Sequence, residues 1–157
     1  MATEVLDPLG RLLAERACER LITEFVRRLD LGVPGDVAEL FTPDGLWEWA
    51  EGGRRVQGRE ALRTYFGSRP ADRLSRRICT NILVTLTSGS TATATTYFTT
   101  YRVDGHTGGM QPPRIPAQVG HYADTFRKTD GEWLLAARST FLAFAGPTER
   151  LGAAVTS

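Results

Sequence analysis

The sequence is poor in the residues that build metal sites and covalent staples. Cys18 and Cys79 are its only thiols, and His106 and His121 its only imidazoles. They are too few and too scattered for a zinc site, and the cysteines have neither ligand spacing nor a partner motif. No export signal is legible at the N-terminus, so both cysteines are expected as reduced, buried thiols. An excess of charge is lacking too. Nineteen Lys and Arg face eighteen Asp and Glu, for a formal net charge of +1. A dedicated nucleic-acid binder carries a basic excess, so that class is set aside. No apolar run approaches the roughly 18 residues of a membrane span. Lysine is almost absent: Lys128 stands alone and the rest of the basic set is arginine. No Gly-rich phosphate loop and no GxSxG elbow occurs. These absences leave a soluble cytoplasmic chain with neither nucleic acid nor membrane as partner. As an enzyme it would need acid/base chemistry with no cofactor and no metal.

What is present reads as one domain over 1–157, with an ordered core at about 8–146 and a loose C-terminal tail. Leu9, Leu13, Ala17, Leu21, Phe25 and Leu29 recur at four-residue spacing, which predicts a helix over Pro8–Leu31. Asp7 before Pro8 is its expected cap, and Gly32 and Pro34 stop it. A short helix follows over Asp36–Phe41, capped by Asp36. Thr42-Pro-Asp-Gly45 is read as a turn, Leu46–Trp49 and Arg54–Gln57 as a small hairpin, and Gly58–Phe66 as a third helix. From Arg76 the period changes. Arg77–Leu86, Thr91–Val103, Ala117–Thr129 and Trp133–Phe144 are rich in Thr, Val, Ile, Tyr and Phe and read as strands. Helices first and an antiparallel meander after is an α+β pattern. A sheet that curls around the first helix would leave a blind apolar cavity.

Five stretches, in this order and spacing, carry a resemblance: "EFVRRLDLG", "DVAELFTPDGLWEWAEGG", "VQGREALRTYF", "RRICTNILVTL" and "GHYADTFRKTDGEWLLAARST". Together they resemble the SnoaL-like branch of the nuclear transport factor 2-like superfamily, over roughly Leu9 to Phe144. The resemblance implies a cone of curved antiparallel sheet closed by three helices around a deep pocket. That family includes polyketide cyclases, scytalone dehydratase, ketosteroid isomerases, limonene epoxide hydrolases and ring-hydroxylating dioxygenase small subunits, so fold alone does not fix function.

Within that frame Asp30 is the first candidate. In dehydratases resembling this chain an Asp at this helix end faces the pocket, and the negative end of the helix together with an apolar cavity would favour a proton-accepting role. An exposed helix-terminal acid is the alternative. Arg77 falls where many relatives have a histidine, and arginine cannot take over proton transfer. It can hold an oxyanion or pair with Asp30, or it is a rim arginine. If Arg77 points inward, alternation puts Cys79 and Asn81 on the same face, where Asn81 either donates to a substrate carbonyl or bonds neighbouring backbone. Tyr122 and Asp124 share a strand face with Gly120 and Phe126. Tyr122 would donate its hydroxyl to a substrate oxygen. Asp124 is either a second site carboxylate or the ion-pair partner of Arg77 or Arg138. His121 falls on the opposite face. Trp49 shapes the pocket, with Phe25 and Tyr65 among the substrate-contacting aromatics.

The resulting expectation is an acid/base enzyme of lyase or isomerase type acting on a hydrophobic, oxygenated cyclic small molecule. Dehydration, isomerisation and aldol-type cyclisation in secondary metabolism or catabolism all fit. Two alternatives stay open. One is epoxide-hydrolase-like activation of water by Asp30, Arg77 and Asp124. The other is a non-catalytic ligand-binding or assembly module. A homodimer through the outer face of the sheet is expected, because "TATATTYFTTY" and "WLLAARSTFLAF" offer apolar or Thr-rich side chains to both faces.

Overall fold

The structure is a computed structural model and describes residues 6–152. Helix α1 runs over Pro8–Leu31, as the four-residue spacing predicts. Asp7 caps it by accepting from the Gly10 N–H at 2.6 Å. Its buried stripe is Ala14, Cys18, Leu21, Ile22, Phe25 and Leu29. Leu9, Leu12 and Leu13 are exposed, so the apolar face near the helix N-terminus is not covered by the sheet. The expected second helix is a 3₁₀ helix over Pro34–Leu40, and Asp36 makes no cap hydrogen bond. Pro34 in the first position and the tight connection from α1 favour this shorter form.

Strand β1 covers Phe41–Trp49, β2 Arg54–Gln57, and helix α2 Arg59–Gly67. The turn expected at Thr42–Gly45 is instead a bulge inside β1. Phe41 is aligned with Leu135 and Leu46 with Ala137, so four residues on one strand face one on the other. Strands β3 (Leu74–Leu86), β4 (Thr91–Asp104), β5 (Gln118–Thr129) and β6 (Glu132–Ala145) form the meander, and β7 is Glu149–Arg150. The strand order is β2-β1-β6-β5-β4-β3, with β7 on β4. The meander is antiparallel as expected, while β1 joins β6 and β7 joins β4 in parallel. The tail expected to be loose is therefore tied back through Glu149 and Arg150. Its last residues, 153–157, lie outside the described residues.

The sheet curls because its strands carry extra residues at fixed points. In β3 the pairing steps from Thr80–Tyr97 to Leu83–Thr95, and Asn81 takes a left-handed φ of 54°. In β6 it steps from Gly120–Leu142 to Val119–Phe144. Gly120 is required there, since a Cβ would run into the carbonyl oxygen of Phe141. The concave face packs on α1 and α2, giving the expected α+β half-barrel. At its centre Phe25 meets Phe41, Phe66 and Tyr122 edge-on, at centroid distances of 6.3, 5.6 and 6.2 Å. Burying such rings supplies most of the drive to fold. No helix among the described residues is long and apolar enough to cross a membrane.

The convex face leaves Ile78, Leu83, Tyr97, Phe141 and Phe144 exposed. Register sets Tyr97, His121 and Phe141 side by side across three strands, with the His121 and Phe141 rings stacked at 4.8 Å. We propose that a second copy of the chain covers this row. Light scattering at micromolar concentration should give twice the chain mass of 17.3 kDa. Tyr97→Asp should shift it to the single-chain mass. A monomer mass for the unaltered chain removes the proposal.

Candidate active site

The concave face and the helices enclose a cavity of about 580 Å³, within the range of small-molecule sites. One side is aromatic. Phe25 comes from α1, Trp47 and Trp49 from β1, Tyr65 from α2, Phe98 from β4 and Tyr122 from β5. Trp47 and Trp49 enter together because they are two apart on a strand, while Glu48 between them pairs outward with Arg55 at 3.2 Å. Phe98 stacks on Tyr122 with centroids 4.4 Å apart. Burial pushes the Tyr122 phenol up from its ordinary pKa, against the pull of the Arg77 and Arg138 cations.

Beneath this wall lies a fully buried ion pair. Arg138 donates to Asp124 from Nε at 2.8 Å and from Nη2 at 2.7 Å. Register makes the two residues direct cross-strand partners on β5 and β6. The guanidinium carbon sits 4.0 Å from the Tyr122 ring centroid and 4.4 Å from that of Phe25. Burial alone would pull the Arg138 pKa down, but Asp124 more than offsets it and holds it above its usual value. The two ring faces supply further cation–π attraction. Cys18 is packed nearby, and burial followed by the Asp124 charge pushes its thiol up to about 12, so it is inert.

A second pair stands in the cavity wall. Asp30 at the end of α1 accepts three hydrogen bonds. They come from Ser75 Oγ at 2.6 Å, the Arg77 backbone N–H at 2.6 Å and Arg77 Nη1 at 2.8 Å. Ser75 also accepts from Arg69 Nη2 at 2.6 Å, so one buried hydroxyl joins Asp30 to Arg69. Ser75, Arg77 and Cys79 alternate inward on β3, which brings them under α1.

Of the eight side chains singled out from sequence, Phe25, Trp49, Tyr65, Arg77 and Tyr122 line the cavity. Three do not. Asp30 lies behind Arg77 with its side chain only 6% exposed, rather than facing the pocket. Asp124 is held by Arg138 below the floor, which is the ion-pair alternative rather than a second site carboxylate. Asn81 is exposed, because the bulge at Thr80–Leu83 makes it the extra residue and shifts the inward face to Ile82 and Val84. His121 faces outward, as strand parity requires. Trp47 enters beside Trp49, as their alternation around Glu48 on the strand requires, although only Trp49 was named as a pocket residue. Sequence reasoning missed Ser75, Arg69, Arg73 and Arg102. The only signal for Arg69 and Arg73 was the density of arginines between Arg69 and Arg77, and Arg102 carried none.

The model of the SnoaL-like domain family matches residues 10–139. No curated protein sequence matches the chain. Among solved structures it is similar to a protein provisionally named scytalone dehydratase from Novosphingobium aromaticivorans, at 22% identity and TM-score 0.69, covering 92% of this chain and 97% of that one. It is also similar to the type-3 hexachlorocyclohexane dehydrochlorinase LinA from Novosphingobium barchaimii, at 18% identity and TM-score 0.71, covering 90% and 94%. A third is provisionally named an aromatic ring hydroxylase, from N. aromaticivorans, at 19% identity and TM-score 0.69, covering 85% and 91%. Identities this low carry the fold and not the activity.

The buried pair yields a stability test. Asp124→Asn leaves the Arg138 charge buried without a counter-ion and should cost about 3–5 kcal/mol in urea unfolding. Asp124→Asn combined with Arg138→Met should recover part of that loss. A loss below about 1 kcal/mol for the single variant would mean that the pair does not hold the fold.

Proposed function

The chain belongs to the SnoaL-like domain family, and from that premise we propose that it is a small-molecule enzyme of lyase or isomerase type working by acid/base chemistry without a cofactor. The observation that carries this reading is the Asp30–Arg77 pair set in the wall of an aromatic cavity beside Tyr122. A guanidinium and a phenol together suit an oxygen on which negative charge grows during dehydration, isomerisation or ring closure. At rest Asp30 and Ser75 both hold Arg77 Nη1, which keeps the guanidinium at the cavity wall. In this reading Asp30 accepts the proton. Its carboxylate becomes reachable when a substrate oxygen draws the guanidinium into the cavity, while the Arg77 backbone N–H keeps Oδ2 in place. Elimination is the chemistry named for two proteins of the same fold, a dehydratase and a dehydrochlorinase, and it is the candidate taken here ahead of hydrolysis. Epoxide-hydrolase-like water activation loses support because Asp124 is committed to Arg138.

A second reading, a ligand-binding module without turnover, is favoured by one observation. No Asp, Glu or His lines the cavity among the described residues. Turnover of hydroxylated polycyclic ketones separates the two. Asp30→Asn should lower kcat by about 100-fold or more, the usual contribution of a general base, with ligand affinity little changed. Tyr122→Phe should cost about 100-fold as a lost oxyanion donor. Full turnover in Asp30→Asn removes Asp30 from the reaction. Binding without turnover across the panel gives the module.

A further inference from the structure

The cavity is more cationic than an apolar substrate requires. Arg54, Arg69, Arg73, Arg77 and Arg102 line it, and among the described residues no acidic side chain does. Arg73 is matched by Asp104 in a two-bond pair at 2.7 and 3.0 Å, and Arg77 by Asp30. Arg54, Arg69 and Arg102 have no carboxylate partner among the described residues, and Arg54 is the exposed one, reaching only Tyr65 Oη at 3.4 Å. Arg69 reaches only Ser75 Oγ and the backbone oxygen of Arg73, at 2.6 and 3.4 Å. Its Nη1 is buried without any partner. Arg102 spends Nε on Thr148 Oγ1 at 2.8 Å.

Arg69 and Arg102, the two less exposed of these, belong to one place. Ser75 is the direct cross-strand partner of Arg102, and its hydroxyl accepts from Arg69. Burial first, and then neighbouring arginines, pull both guanidinium groups down to about 10. Both stay charged at neutral pH. Positive charge in a partly dry cleft with low-dielectric walls attracts an anion. The apolar surface is within reach. Phe98 lies four residues from Arg102 on the same face of β4, about 13 Å of strand. Two further lining residues have polar atoms without partners, Trp49 Nε1 and Thr140 Oγ1.

We propose that the cavity binds an organic carboxylate, its acid group held between Arg69 and Arg102 and its fused-ring body lying against the aromatic side of the cavity. Paired guanidinium groups match a carboxylate by charge and by planar two-bond geometry. This names the substrate class of the site proposed above and rests on that cavity being a small-molecule site, although on no particular reaction there.

Calorimetric titration of the unaltered chain with 2-naphthoate, neutral 2-naphthamide and 2-naphthyl phosphate tests it. Naphthoate should bind about 10-fold or more tightly than the amide, the worth of one charge-assisted contact. The advantage should shrink between 50 mM and 500 mM salt, as screening requires. Arg69→Gln with Arg102→Gln should abolish the preference for naphthoate over the amide. Equal binding of acid and amide by the unaltered chain overturns the proposal while the cavity remains a small-molecule site. Binding of the phosphate but not the carboxylate overturns the choice of acid group. Binding of none of the three overturns the small-molecule reading as well. The comparison of probes on the unaltered chain decides the matter even if the double variant fails to fold.

Discussion

The Asp124–Arg138 pair is the constraint on which the rest of the structure depends. Two full charges, each with no exposed side-chain surface, cannot be buried unless their geometry is complete. The pair meets that demand with two parallel hydrogen bonds and with aromatic rings on the guanidinium. Those rings belong to α1 and β5. The ion pair therefore fixes how close the first helix sits to the sheet, and it does so at the floor of the cavity.

That spacing explains the shape above it. Phe25 is engaged by Arg138 and at the same time touches Phe41, Phe66 and Tyr122 edge-on. Helix and sheet are held together at Phe25 and again at Asp30, which bonds Ser75 and Arg77 of β3. The cavity is lined by rings that are already packed behind. Ser75 plays the matching part at the wall, where its hydroxyl joins Asp30 and Arg69. A buried hydroxyl with all its bonds made holds its partners in single orientations, so the cations face the cavity without needing a ligand to order them.

The cavity is thus divided by chemistry. Its aromatic side offers large, rigid, apolar area. Its other side, from the segment after α2 and the end of β4, presents arginines whose carboxylate partners account for only Arg73 and Arg77. A ligand with an apolar body and an anionic head matches both halves. Asp30 belongs to the boundary between them, reaching the cavity only through Arg77.

The sequence by itself determined the α+β class, the full extent of α1, the hairpin around Glu51–Gly53 and the inward face of Gly120, Tyr122, Asp124 and Phe126. Each is a local matter of period, capping or alternation, and each survives in the structure. Alternation failed where a bulge added a residue, which is why Asn81 turned outward while Arg77 stayed in. Only the tertiary structure decided which acid met which base. Arg138 could have answered Asp124 or left it to Arg77, and the choice was made by strand register between β5 and β6. It likewise decided that Arg69, Arg73, Arg77 and Arg102 share one cavity, because they come from a loop and two strands brought together by curling. Period reports which face of an element is buried. It carries no information on where the charged ends of long side chains converge, since that depends on contacts between residues far apart in the chain.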